Sequence, residues 1–146
     1  MNKDFRELKI WRKSRYLILA IYKITERLPD ESCYNLISEM RKNCIAITAN
    51  IAKGFSSPEQ KELMNFLLLS MTAACKLESL LREAYDLNCI NYSLYKPLAQ
   101  ETMDIKCWLG SLVEKVRAGR KKITTIDFNK FTESACQLPL LKAHNL

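Results

Sequence analysis

The stretch RKNCIAITANIAKGFSSPEQ, residues 41–60, constrains the fold most. Ile45, Ala46, Ala49, Ile51 and Ala52 are small or β-branched apolar residues, with Thr48 and Asn50 among them. Small side chains let a helix approach its neighbours closely. Gly54 supplies the left-handed position that helix C-termini favour. Ser57 is placed to cap a following helix, with Pro58 at its first position and Gln60 three residues after the cap. The stretch therefore predicts one helix ending and an antiparallel one beginning.

The rest of the chain has the same grammar. A first helix is predicted from Lys3 to Leu28, where Phe5, Leu8, Trp11, Ile18 and Tyr22 form one apolar stripe. A second starts between Asp30 and Cys33 and stops at Gly54. A third runs from Pro58 to Leu87, with Leu63, Phe66, Leu67, Ser70, Ala74, Leu77 and Leu81 facing inward. The fourth starts near Ser93, holds Pro97 in its first turn, and carries Ile105, Trp108, Leu109, Leu112 and Val116 on its stripe. Four long helices with short turns predict an all-α, antiparallel up-down-up-down four-helix bundle. The bundle is expected over residues 1–118. Residues 119–146 form a basic linker and C-terminal extension, docked or flexible.

At 146 residues the chain fits one domain. Three glycines and four prolines favour long regular elements. No uninterrupted apolar run reaches the ~18 residues of a membrane span, and the N-terminus lacks a signal-peptide layout. These features point to the cytoplasm, with no membrane partner. The six cysteines have no CxxC spacing and read as reduced, packed thiols. His144, the single histidine, reads as a solvated tail residue. No metal or cofactor is expected.

Charge is unevenly spread. Residues 1–28 hold eight Lys and Arg against three acids, and residues 115–122 hold five basic residues and no acid. Residues 29–114 are net acidic. In an up-down-up-down bundle the two basic segments meet at one end. Lys3, Arg6, Lys9, Arg12, Lys13 and Arg15 then gather with Lys115, Arg117, Arg120, Lys121 and Lys122. Such a field suits phosphate backbones. The candidate nucleic-acid contacts are Lys9, Arg12, Lys13, Arg15, Lys115, Arg117, Arg120, Lys121 and Lys122. Tyr16 is placed to stack on exposed bases, whereas Trp11 belongs to the packed stripe. A merely solvated basic face is the competing reading.

Catalytic signals are missing. There is no phosphate-binding glycine loop, no HExxH and no nucleophile elbow. Carboxylates at helical spacing, Glu59/Glu62 and Glu83/Asp86, are ordinary on solvated faces. The expectation is a protein without enzyme activity.

Several pieces in order resemble a known family. They are FRELKIW (Phe5 to Trp11), Leu28-Pro29, Tyr34 with Leu36, Arg41, Asn50-Ile51-Ala52 with Gly54, Leu77-Glu78, and AYDLNCI (Ala84 to Ile90). Together they resemble the four-helix-bundle family of 23S rRNA intervening-sequence proteins, which is similar to accessory proteins of diversity-generating retroelements. The resemblance implies a cyclic homo-oligomer, a homopentamer, whose basic ring engages nucleic acid and a reverse transcriptase; the converging basic segments themselves predict RNA or DNA binding without sequence preference. The alternative is a structural protein–protein scaffold without nucleic-acid binding. Lys53 and Lys76 stand where the family usually has glutamates, and Thr48 where it has proline. Asn50 is expected to be buried and hydrogen-bonded across the bundle. Lys53 and Lys76 are expected away from the basic end.

Overall fold

The computed structural model describes residues 4–28 and 31–119. Four helices account for most of them: α1 (Lys9–Thr25), α2 (Tyr34–Ser56), α3 (Gln60–Asp86) and α4 (Tyr92–Arg117). Short 3-10 turns at Phe5–Glu7 and Glu31–Cys33 precede α1 and α2. No strand occurs among the described residues. Cross-helix contacts fix an antiparallel order. Thr48 Oγ1 donates to Ser14 Oγ (3.1 Å) and Arg41 Nε to Thr25 Oγ1 (3.0 Å), joining α2 to α1. Ser70 Oγ donates to the Ile47 carbonyl (2.8 Å), joining α3 to α2. Lys106 Nζ pairs with Glu78 (2.9 Å), joining α4 to α3. That hydrogen bond holds Lys106 above the usual lysine range. The four-helix bundle expected from the stripes is therefore present.

The inner faces follow the apolar periods. Ile10, Leu17, Ile21 and Ile24 line α1, and Met40, Cys44, Ile47 and Ile51 line α2. Leu67, Ala74, Leu77 and Leu81 line α3, and Ile105, Leu109 and Leu112 line α4. Burial of such side chains contributes about 1.5–3 kcal/mol each.

Several boundaries move. The first helix begins only at Lys9, because Asp4 caps a separate 3-10 turn by accepting from the Arg6 N–H at 2.9 Å. Gly54 is not a left-handed stop. It lies inside α2, where an added Cβ would stand 3.0 Å from Phe66 Cβ and 3.3 Å from Leu63 Cδ1. Its smallness lets α3 close on α2. Ser57 is the C-cap of α2, and its hydroxyl donates to Glu62 rather than capping α3, which starts at Gln60. Asn91 caps α4, accepting from the Leu94 N–H at 3.0 Å. This early start leaves Pro97 in the second turn. Asn50 is half-buried and bonds along its own helix, Nδ2 to the Ala46 carbonyl at 2.9 Å, not across the bundle.

The cysteine expectation is overturned for one pair. Cys33 and Cys89 form a disulfide with Cα atoms 6.1 Å apart. The fold explains it: the start of α2 and the α3–α4 turn share one end of the bundle. Disulfides persist in oxidising compartments, so this bond runs against the cytoplasmic expectation. Cys44 is buried, and Cys75 and Cys107 are exposed. Desolvation pushes the Cys44 thiol up to about 12. By length and composition α3 is apolar enough to cross a membrane, although no unbroken apolar run is that long. Here it packs between α2 and α4, and leaves Leu68 and Leu69 exposed.

Candidate nucleic-acid interface

α1 contains five basic residues and no acid. Its buried positions hold apolar side chains, the hydroxyl residues Ser14 and Thr25, and one charged side chain. Lys13 follows Ile10 by three and precedes Leu17 by four, so helical geometry carries it inward. It is 2% exposed, with Nζ 2.8 Å from Glu101 Oε1 and 3.5 Å from Asp104 Oδ2. Both carboxylates are as buried as the lysine, and lie three apart on the inner face of α4. The ammonium also sits 5.2 Å from the Trp108 ring centroid. Charge, rather than directed hydrogen bonding, holds the Nζ here. Lys13 is thus removed from the candidate contacts, because a phosphate cannot reach it.

The remaining α1 cations do face outward. Lys9, Arg12, Arg15 and Lys23 are all exposed. Arg12 Nε donates to the Arg6 carbonyl at 2.9 Å, which anchors its guanidinium over the 3-10 turn. Arg15 lies 5.5 Å from the Trp11 ring, and Trp11 packs edge-on against Phe5 at 5.3 Å. The packed role expected of Trp11 is therefore seen. Tyr16 is 54% exposed, as base stacking requires.

The start of α1 and the end of α4 lie at one end, as the topology demands, but their cations do not form one cluster. Lys13, four residues into α1, stands level with Glu101 to Trp108. α4 therefore runs on about two turns past the start of α1. Arg117 is exposed and paired with Glu114 at 3.1 Å, and Lys115 is half-buried. Arg6 is paired with Asp4 at 2.8 Å, which raises the guanidinium above and lowers the carboxyl below their ordinary values. Such exposed pairs spend part of their field locally. Arg120, Lys121 and Lys122, with the expected extension, lie outside the described residues.

Lys53 also moves. It occupies the last turn of α2, which shares the end that holds the start of α1. It joins the basic end instead of standing away from it. Lys76, in the body of α3, remains apart. Among the described residues no group of three or more His, Cys, Asp or Glu side chains could hold a metal.

The family model described as 23S rRNA-intervening sequence protein matches residues 6–111, from the first 3-10 turn to the last third of α4. No curated protein matches the chain significantly.

Proposed function

The chain belongs to the 23S rRNA-intervening sequence protein family, and on that premise we propose that it is a non-catalytic bundle that binds RNA or DNA without sequence preference. One observation carries the reading. Every exposed charge on α1 is positive, over a helix of seventeen residues. Lys53 at the end of α2 and Arg117 at the end of α4 extend that field at one end. We further propose a homo-oligomer larger than a dimer, of the pentameric order that the family resemblance implies. Exposed Ile45, Leu68, Leu69 and Met103 supply apolar surface for subunit contact. A ring would repeat the basic face around its circumference and multiply its pull on a polyanion. Service beside a reverse transcriptase is the extension of this role that the resemblance suggests.

The test is binding against salt. Each neutralised phosphate contributes a slope of about −0.9 for duplex DNA, or −0.7 for single strands, in log K against log salt. Reversing Arg12, Arg15 and Arg117 to Glu should flatten that slope while helicity and light-scattering mass stay unchanged. Lys76→Glu is the contrast and should cost little. If the wild-type chain binds no nucleic acid at low salt, the protein is a scaffold instead. A monodisperse monomer at micromolar concentration would remove the oligomer.

A further inference from the structure

We infer that the outer face of α1 is a docking surface for single-stranded nucleic acid, with Tyr16 as the base-stacking residue; this rests on the nucleic-acid reading above. Lys9, Arg12, Tyr16, Leu19 and Lys23 are spaced by alternating steps of three and four, which puts them on one helical stripe. All five are exposed. The stripe spans fifteen residues, Lys9 to Lys23, or about 21 Å of helix. Its ends are cationic and its centre is an aromatic and an aliphatic side chain. No acid interrupts it.

The choice of occupant follows from charge and from what is already buried. A second copy of this chain docking stripe to stripe would set cation against cation. An anionic membrane would take up the apolar face of a basic amphipathic helix. That face is spent: Ile10, Leu17, Ile21 and Ile24 lie in the core. What α1 shows to solvent is a row of cations around an open ring. Duplex would use the cations alone, since its bases are stacked within the helix. Only an unpaired strand uses the ring as well, because every base has a face to stack. Tyr16 has no ring contact among the described residues, so one of its faces needs no displacement to receive a base. Along the flank toward α2, Arg15 lies over Trp11 at 5.5 Å and Arg41 over Tyr22 at 4.4 Å. These guanidinium planes border the stripe with further flat, cationic surface of the kind that unpaired bases stack on.

The experiment compares two probes on the full chain: a fluorescein-labelled oligouridine and a duplex RNA of equal length, at low salt. Tyr16→Ala should weaken oligouridine binding about tenfold and leave duplex binding unchanged, the loss of one stacked base. Tyr16→Phe should bind as the wild type does, because the ring rather than the hydroxyl makes the contact. Tyr34→Ala, an exposed tyrosine at the other end of the bundle, should change neither probe. Circular dichroism and light scattering check that each variant keeps its helicity and mass. Equal losses on both probes, or no loss on either, would overturn the stacking site while leaving the nucleic-acid reading standing. If the wild type binds neither RNA but does bind phosphatidylserine vesicles, both readings fall.

Discussion

Lys13→Ala is the sharpest perturbation this fold offers. The wild-type ammonium stands 2.8 Å from one buried carboxylate and 3.5 Å from another. Truncation leaves Glu101 and Asp104 facing each other's charge without the cation, in a site that excludes water. Breaking a buried pair by removing one partner costs about 3–5 kcal/mol. The lost contact with the Trp108 ring belongs to the same figure. Set against a typical stability of about 5–15 kcal/mol, that is a large share. At about 3 °C per kcal/mol for a chain of this length, the melting temperature should fall by about 10–15 °C. Urea unfolding followed by far-UV circular dichroism at neutral pH reads the change directly. The triple replacement Lys13→Met, Glu101→Leu, Asp104→Leu is the control. Removing all the buried charge together is expected to be neutral or stabilising. A loss below about 1 kcal/mol for Lys13→Ala is the scale of a solvated pair. That result would refute burial of the cluster and the α1–α4 register built on it.

Four further outcomes are expected. Gly54→Ala should destabilise by about 1–3 kcal/mol, since the close contact with the rigid Phe66 Cβ outweighs the helix propensity gained; an unchanged urea midpoint would show that α3 can yield. Cys33→Ser should lower stability by about 4 kcal/mol, from reopening a loop of 56 residues, and dithiothreitol should reproduce that loss in the wild type but not in the variant. The Cys44 thiol is raised in the folded state from 9.0 to about 12, so its contribution is fully present below pH 9.0 and lost as pH rises toward 12. Over that window Cys44→Ala should flatten the decline in stability, measured by urea midpoints. In the folded wild type, thiol reagents near pH 8 should label Cys75 and Cys107 and spare Cys44.

The stripes of α3 and of α4 from Ile105 onward are legible because their inward positions are occupied by ordinary core residues. Leu67, Ser70, Ala74, Leu77 and Leu81 are all buried as their spacing requires. Lys13 is invisible to a tally of charge by segment and shows only on the helical face it occupies, which is inward. The signal was present. Lys13 interrupts the stripe of Ile10 and Leu17, and Glu101 and Asp104 interrupt that of Leu98, Ile105 and Trp108. Opposite charges at inward positions of two helices predict a buried pair. Gly54 was misread because left-handed caps and close approaches both call for glycine, and local sequence does not separate them. Cys33 and Cys89 carry no local signal, since their pairing depends on which helix ends meet. Lys53 lies at the basic end by topology alone: in the last turn of α2 it shares the end of the bundle that holds the start of α1, and a helix stopping at Gly54 would put it there too.

The disulfide also partitions the chain mechanically. Residues 33–89 form a closed covalent loop holding α2 and α3, while α1 and α4 lie outside it. Under tension applied on either side of the loop, α1 and α4 peel away and the force then passes through the two sulfur atoms. The 56 residue steps between Cys33 and Cys89 are bypassed, and about 190 Å of contour length stays hidden. In an optical trap that length should be missing from the force–extension trace of the oxidised protein and should return on adding a reductant. The helices fastened by Lys13 are thus the sacrificial layer, and the α2–α3 hairpin is the part that tension applied from outside cannot extend.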